Sequence, residues 1–202
     1  MFAAADTLAC QNFGSNGCNG GQPGLAWNFF VNTGVVSGGD YGDSTTCSPY
    51  PFAPCAHHVA PSAEYPACPT NDYNTPRCNK SCTNSAYGTS YSSDKTKAKS
   101  SYSISGVSKI QTDIMTHGSV SAAFTVYNDF LAYSGGVYQH KSGSALGGHA
   151  VKIFGWGVDN GTPYWNVANS WNPTWGVGGT FKILRGVNEC GIDGDIVAGL
   201  AA

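Results

Sequence analysis

The second half of the chain contains short runs of apolar residues, separated by glycine turns and bounded by polar residues. Six segments are predicted to be strands: Tyr102–Ser105, Ser121–Val126, Gly136–His140, Ala150–Trp156, Tyr164–Asn169 and Thr180–Leu184. Between the first two, Ser108 is expected to cap a short helix that runs through Ile110, Ile114 and Met115 and ends at Gly118. Short strands joined by glycine turns predict an antiparallel, β-barrel-like sheet.

The first half of the chain shows less regular hydrophobic periodicity and contains more prolines. Leu25–Val31 is predicted to be a short buried helix, with Pro23 near its start and Gly34 at its end. Residues 36 to about 97 show no sustained period and hold seven of the ten prolines. So long an irregular stretch is usually functional or cross-linked. We therefore expect an α+β protein whose helix-and-loop half meets the β half at a ligand-binding cleft.

Composition narrows the function classes. Charged residues make up only 11% of the chain and the net charge is −2. The chain therefore has no excess of basic residues that would bind nucleic acid or an anionic membrane. No apolar run approaches membrane-spanning length. Seven of the eight cysteines lie in the first 82 residues, which favours disulfides formed in an oxidising compartment. Zinc is the alternative because Cys78 and Cys82 have ligand-like spacing, but no second close pair completes a site; no metal or cofactor is expected.

The start of the chain does not resemble a secretory signal. Residues 1–10 lack a charged region and an apolar core, and they lead directly into the cysteine-rich segment. Disulfides without a signal peptide predict a sequence that starts in the middle of its protein. A mature form whose upstream part has been removed is the alternative.

The residues with the clearest chemistry are His149 and Asn169. His149 follows Gly147-Gly148, and Asn169 lies twenty residues later, directly before Ser170-Trp171. A base, an amide that orients it and an indole that shields their hydrogen bond are what a thiol nucleophile requires. A lone histidine would more often be structural, and the pairing with Asn169 is what favours catalysis.

A matching Gly-Ser-Cys-Trp-type nucleophile segment is absent from the sequence. Cys10 and Cys18 precede His149 by a spacing that fits a nucleophile. Neither stands in a Gly-Ser-Cys-Trp-type sequence, since Cys18 lies in Gly-Cys-Asn-Gly-Gly, and Gln11 lies on the wrong side for an oxyanion-hole amide. The chain as written is therefore expected to be inactive.

The order of the motifs resembles the papain superfamily of cysteine peptidases, and specifically its cathepsin B branch. The motifs are Gly17–Gly21, Pro54–His58, Gly147–Ala150, Trp165–Trp171 and Asn188–Ile192. The resemblance implies a papain-like two-lobed α+β fold with an incomplete helical left lobe. It assigns residues 1–98 to that lobe, including an occluding loop at about 47–82. Residues 99–186 would form the β-barrel-like right lobe, and residues 187–202 would be a C-terminal segment that returns to the interface between the lobes. It also implies that the first quarter of the mature domain, the signal and the propeptide are absent.

The same resemblance implies roles for the site residues. His149 would form an ion pair with the cysteine thiolate, Asn169 would orient the imidazole, and Trp171 would cover their hydrogen bond. Without a thiolate partner, His149 is expected to behave as an ordinary histidine. The implied disulfides are Cys10–Cys78, Cys47–Cys82 and Cys55–Cys68, with Cys18 left without its partner and Cys190 free.

Substrate-binding residues also follow from the resemblance. His57 and His58 would bind the substrate's C-terminal carboxylate, which implies removal of C-terminal dipeptides at acidic pH alongside internal cleavage. Asp195 would accept arginine in the second-subsite pocket, or is otherwise a solvated residue. Asn19, Gly20 and Gly21 would offer backbone to an extended peptide. The loop lacks the family's arginine, and Thr174 replaces the acidic residue expected before Trp175, so the salt bridge that pins the loop shut cannot form.

Three hypotheses remain. The first is a fragment of a cathepsin B-like peptidase that acts on peptides or proteins. It would bind cystatin-like inhibitors or its own propeptide, and it would be a lysosomal or extracellular monomer. The second is a pseudo-protease that binds peptides or inhibitors without cutting them. The third is a secreted disulfide or zinc scaffold. For the fragment, we also expect poor solubility, because core residues around Trp27 and Phe30 would be exposed.

Overall fold

The computed structural model describes residues 1–71 and 73–201, and its secondary structure is mixed. The α-helices are α1 (Ala4–Cys10), α2 (Pro23–Asn32), α3 (Tyr91–Asp94) and α4 (Val107–His117). The strands are β1 (Ala98–Ile104), β2 (Val120–Tyr127), β3 (Val137–Tyr138), β4 (Ala145–Asp159), β5 (Thr162–Ala168), β6 (Thr180–Leu184) and β7 (Ile196–Ala201). Among the described residues, no helix combines the length and the apolar character needed to cross a bilayer.

The chain divides into two compact units. The first unit comprises Met1–Pro54, Pro69–Ser101 and Gly199–Ala202, and the second comprises Cys55–Cys68 and Tyr102–Ala198. Residues 55–68 and most of the C-terminal segment 187–202 thus group with the second unit. The lobe boundaries expected from the sequence remain a prediction.

The first unit has little regular structure and a small core. Among the described residues, its hydrophobic core cluster has four buried members, Ala3, Val35, Val36 and Cys47. Disulfides join Cys10 to Cys78 and Cys47 to Cys82. These cross-links restrict the unfolded chain and so supply order that packing alone does not provide.

A buried carboxylate holds three distant parts of the first unit together. Asp6, only 5% exposed, accepts hydrogen bonds from the Tyr91 hydroxyl at 2.6 Å and the Val36 amide at 3.2 Å. Its other partner is the Lys95 ammonium, at 3.2 Å. A buried charge is tolerated only when it is paired and hydrogen-bonded in this way.

Helix α2 is less enclosed than the sequence predicts. It begins at Pro23, as expected from the preference of proline for the first turn, but none of its residues is fully buried. A cavity of about 720 Å³ lies beside it in the first unit, and Leu25 and Phe29 are among the residues that line it. Trp27 and Phe30 of this helix are half-buried, and the expected poor solubility remains a prediction.

The strands form one sheet in the order β1-β7-β2-β4-β5-β6-β3. The pairings of β2 with β4 and of β4 with β5 are antiparallel, whereas β3 pairs with β6 in parallel. In the part of the chain that the structure describes, this sheet is not closed, because the end strands β1 and β3 are not paired with each other. Strand β3 has only two residues, so it offers few backbone groups for a further strand.

Strand β2 shows how the sequence builds the core of the second unit. Its burial alternates along its length, so that Val120, Ala122, Phe124 and Val126 point inward. They pack around Phe130, which is completely buried and contacts the rings of Phe124, Tyr138, Trp171, Trp175 and Phe181. This aromatic cluster supports the strands that carry the candidate site.

The predicted elements differ from the observed ones mainly at their ends. Helix α4 is N-capped by Gly106 without a side-chain cap, so the predicted capping role of Ser108 is wrong. Strand β4 extends back to Ala145, through the glycines of the histidine motif, because β2 pairs with it over that length. The sequence analysis did not predict helices α1 and α3 or strand β7, because their sequences show no clear periodicity of apolar residues.

Candidate active site

Two neighbouring strands of the second unit bring His149 and Asn169 together. His149 lies on β4 opposite Phe124 of β2, and Asn169 directly follows β5, which is antiparallel to β4. The Nε2 atom of His149 lies 2.8 Å from Oδ1 of Asn169. Because an amide oxygen only accepts hydrogen bonds, Nε2 carries the proton and Nδ1 is left free. A third partner fixes the amide, since the Ser170 backbone N–H donates to the same oxygen at 2.8 Å.

The indole of Trp171 stacks on this histidine. The two ring centroids are 5.2 Å apart and the planes differ by 26°. Trp171 is in turn supported by the fully buried Trp175, whose ring lies 4.9 Å away, and by Phe130 at 5.5 Å. The hydrogen bond between imidazole and amide therefore lies in an aromatic environment that limits the access of water.

Burial lowers the pKa of His149 below its ordinary value of 6.5, and the hydrogen bond to Asn169 opposes part of that effect. The expectation that this residue would behave as an ordinary histidine is therefore wrong. The physical reason is desolvation, which disfavours the imidazolium when no anion lies beside it.

The loop that carries the two adjacent histidines is attached to the same aromatic group. Its ends are joined by the Cys55–Cys68 disulfide, and the ring of His58 lies 4.5 Å from Trp171 in an edge-to-face arrangement. The pKa of His58 is lowered, first by burial and then by the neighbouring His57 and His149. His58 has a positive φ of 56°, which fixes an unusual backbone turn at this point.

Asn172 supplies an attachment of the loop that the sequence analysis missed. Its Nδ2 donates to the carbonyl of Cys55 at 2.8 Å, and its own Oδ1 accepts from the Thr174 amide at 3.0 Å. The loop is therefore tethered through a neutral amide, two residues before Thr174, where the sequence lacks the acidic residue needed for the family's salt bridge. The available signal was an asparagine directly after Ser170-Trp171, since asparagine tolerates the positive φ of 69° seen here.

The remaining predicted substrate residues have separate places in the fold. Asn19 ends a short 3₁₀ helix in the first unit, and Gly20 and Gly21 follow it on the surface. A backbone hydrogen bond from Asn16 to Gly20 and a bridge between Ser15 and Gly21 close this turn. In the second unit, Asp195 is exposed directly before β7, and its carbonyl accepts from the Ala123 amide at 3.1 Å. The substrate-binding roles of these residues remain predictions.

The cysteines form the three pairings that the family resemblance implies, and Cys18 and Cys190 are free. Cys78 and Cys82 belong to different disulfides, so the zinc alternative for this pair lacks its thiolates. Burial and the nearby Glu189 and Asp129 raise the pKa of Cys190 to about 12. That thiol stays protonated near neutral pH, which is the opposite of what a nucleophile needs.

An imidazole held by an amide and covered by an indole, on an α+β scaffold, is the arrangement that the sequence analysis expects for the acid–base half of a thiol peptidase, and that role stays a prediction. Comparison with known proteins agrees, because residues 1–200 match the family described as "Papain family cysteine protease". The chain belongs to the papain family of cysteine proteases.

The similar sequences are named as cathepsin B-like enzymes. The chain is 48% identical to cathepsin B-like cysteine proteinase 4 of Caenorhabditis elegans, over 99% of this chain and 60% of that protein. It is also 48% identical to a cathepsin B-like cysteine proteinase of Schistosoma japonicum, over 98% of this chain and 58% of that protein. The chain thus spans about three-fifths of the length of these relatives.

Solved structures show the same fold. Procathepsin B S9 from Trypanosoma congolense superposes with a TM-score of 0.81 at 36% identity, covering 100% of this chain and 60% of that one. The papain-like fold and the membership in the cathepsin B-like group predicted from the sequence are confirmed.

Proposed function

We propose that this chain supplies the acid–base half of a cathepsin B-like cysteine peptidase. The observation that carries the proposal is the 2.8 Å hydrogen bond between His149 Nε2 and Asn169 Oδ1 beneath the Trp171 ring. It leaves Nδ1 of the imidazole as the atom that can take a proton from a thiol. General base catalysis requires this geometry before any consideration of pKa.

The chemistry would proceed in two stages. His149 Nδ1 accepts the proton of a cysteine thiol, and the thiolate sulfur attacks the carbonyl carbon of the scissile peptide bond. The imidazolium then gives its proton to the departing amine, leaving an acyl-enzyme. In the second stage His149 accepts a proton from water, the resulting hydroxide releases the acid product, and the proton returns to sulfur.

The thiol in this scheme comes from outside residues 1–202. The sequence contains no Gln followed by Cys-Trp, and the raised pKa of Cys190 disfavours that residue as a nucleophile. Cys18 stands in a segment that the family uses for a disulfide. The chain alone is therefore proposed to be inactive. A neighbouring thiolate would favour the charged form of His149 and offset the effect of burial on its pKa.

His57 and His58 would give the peptidase its exopeptidase character. Their rings lie 6.2 Å apart, centroid to centroid, and a protonated imidazole donates charge-assisted hydrogen bonds to a carboxylate. The Asn172 tether and the contact of His58 with Trp171 support a loop that is held in place without the salt bridge. We propose removal of C-terminal dipeptides, favoured at acidic pH, together with internal cleavage.

Substrates are proposed to be peptides or proteins in extended conformation. Asn19, Gly20 and Gly21 would hydrogen-bond the substrate backbone, and Asp195 would accept an arginine side chain. Cystatin-like inhibitors and a propeptide are the proposed protein partners, and the protein is proposed to act as a monomer. The three disulfides fit an oxidising route, and a lysosomal or extracellular compartment is proposed.

A fusion protein tests this proposal. A segment with the family's Gln and Cys-Trp motif, taken from a cathepsin B-like relative, is joined before Met1, and hydrolysis of a fluorogenic arginine-containing peptide is measured. The unfused chain should show no turnover, the fusion should cleave the peptide, and the fusion carrying His149→Ala should not. Cleavage that survives His149→Ala, or cleavage by the unfused chain, would refute the assignment.

The pseudo-protease remains the second candidate, because residues 1–202 contain no Gln followed by Cys-Trp. It predicts that the unfused chain binds an extended peptide or a cystatin with measurable affinity. It also predicts that a properly folded fusion gains no turnover. Calorimetric titration of the unfused chain and the kinetics of the fusion therefore separate the two functions.

A further inference from the structure

A cluster of metal-ligating atoms lies at the base of the loop between Cys55 and Cys68. The sulfurs of these cysteines and a ring nitrogen of His57 all lie within 4.8 Å of one another. His57 Nε2 is 3.6 Å from Cys55 Sγ. In the present state both sulfurs are consumed by the disulfide, so they offer no thiolate to a metal.

The backbone holds the two cysteines close to each other independently of the sulfur–sulfur bond. The Ala56 amide donates to the Pro66 carbonyl at 2.8 Å, and Ala56 and Ala67 form a parallel bridge. The Cys55 carbonyl is also fixed by Asn172. Because the residues that follow one cysteine and precede the other are hydrogen-bonded together, the two sulfurs remain neighbours when their bond is broken.

We propose that reduction of the Cys55–Cys68 disulfide converts the base of this loop into a Zn²⁺ site formed by Cys55, His57 and Cys68. A thiol or phosphine reductant supplies the two electrons. With a phosphine, the oxygen of one water molecule is transferred to phosphorus to give the phosphine oxide. The two electrons from phosphorus and the two protons of that water convert the disulfide into two thiols. Zinc then binds as the two thiols lose their protons, so that two protons are released for each metal bound.

The ligand set suits zinc in particular. Two thiolates and one imidazole, completed by a water molecule, give the tetrahedral coordination that zinc prefers. Thiolate ligands also discriminate against magnesium and calcium, which prefer oxygen. Two thiolate charges balance the charge of the ion, so binding leaves no net charge at the half-buried site. His57 is exposed, which gives the ion a path of entry.

The adjacent histidine provides a matched control. His58 differs from His57 by one position, but its ring packs against Trp171 and it is not part of the ligand cluster. Replacing either histidine removes one imidazole from the same loop. Only the loss of His57 should affect the metal.

Metal binding would also act on the proposed exopeptidase function, because a zinc-bound His57 cannot receive a substrate carboxylate. This consequence rests on the proposed function, whereas the site itself does not. The test therefore measures metal binding on the chain without any assay of turnover, so that failure of one proposal leaves the other standing.

The experiment is an anaerobic titration of the chain with Co²⁺, a spectroscopic substitute for zinc, before and after reduction by a water-soluble phosphine. Absorption from thiolate-to-cobalt charge transfer reports the ligation. The chain is compared with Cys55→Ser/Cys68→Ser, His57→Ala and His58→Ala, and zinc affinity is obtained by displacement of cobalt. The double variant accounts for metal bound by the other reduced cysteines.

The reduced chain should bind one more equivalent of cobalt than the double variant, and the oxidised chain should lack this equivalent. His57→Ala should weaken binding of this equivalent by about 10–100-fold, since even an outer partner of a metal ligand has effects of that size. His58→Ala should keep the affinity of the unsubstituted chain. Equal stoichiometry in the reduced chain and the double variant, or equal affinities for the two histidine variants, would overturn the proposal.

Discussion

The two units of the chain reach order by different means. The first unit has, among the described residues, a hydrophobic cluster of four buried members, two disulfides and a buried carboxylate that joins three segments. The second has one disulfide and a continuous core in which strands, tryptophans and phenylalanines pack together. A sheet stabilises itself by packing its alternating side chains, whereas an irregular chain must be restrained by cross-links and by hydrogen bonds to specific groups. The proposed acid–base pair, His149 and Asn169, lies in the unit that is ordered by packing.

The largest expected effect comes from opening the core of the second unit. Phe130→Ala removes a completely buried ring and should lower the free energy of unfolding by about 3–5 kcal/mol, because a cavity remains. Urea unfolding followed by tryptophan fluorescence measures it. Phe13→Ala is the control in the first unit, since Phe13 is 82% exposed and its loss should change little. Similar losses for the two variants would contradict the contrast between the units.

The next effect concerns the cross-links of the first unit. Cys47→Ser/Cys82→Ser opens a bridge that spans 35 residues and should cost about 2–4 kcal/mol. Hydrogen exchange measured by mass spectrometry should show faster exchange in the first unit, while β4 and β5 keep their protection.

Cys18→Ser is the matched control for this variant, because it makes the same chemical change at a free cysteine of the same unit. Its effect should be within about 0.5 kcal/mol. If β4 and β5 lose protection as much as the first unit does, the disulfide would not be the local restraint described here.

A third comparison uses one ion pair from each unit. Asp6→Asn in the first unit weakens the bond to Lys95, where the two side chains are 2% and 15% exposed, and should cost about 1.5–3 kcal/mol. Asp159→Asn in the second unit weakens the bond to Lys182, where the two side chains are 35% and 36% exposed, and its cost should be the smaller one because solvent screens an exposed pair. Thermal unfolding in low and high salt measures both. A larger loss for Asp159→Asn would reverse the proposed order.

The sequence predicted best where the local pattern and the three-dimensional environment agree. β6 was predicted with its observed limits, because its alternating residues also alternate in burial. The pairing of His149 with Asn169 was predicted from the motifs, and the antiparallel pairing of β4 with β5 brings the two side chains together. Asn172 was missed because its partner, the Cys55 carbonyl, lies 117 residues away. The lowered pKa of His149 was missed because burial is a property of the folded chain, and no local pattern encodes it.

The smallest predicted effect is the dependence of stability on pH in the second unit. Burial places the pKa of His149 in the folded chain below the ordinary 6.5, so between these two values the unfolded chain binds a proton that the folded chain does not. Stability should therefore fall as the pH drops through 6.5 and level off below the folded pKa.

His149→Gln should reduce the slope of stability against pH. The slope that remains should come from His58, because its pKa is lowered too. Asn169→Ala should steepen it, because the hydrogen bond that raises the pKa of His149 is lost. Urea unfolding at a series of pH values measures the slopes, and an unchanged slope in His149→Gln would show that this imidazole is not desolvated in the folded chain.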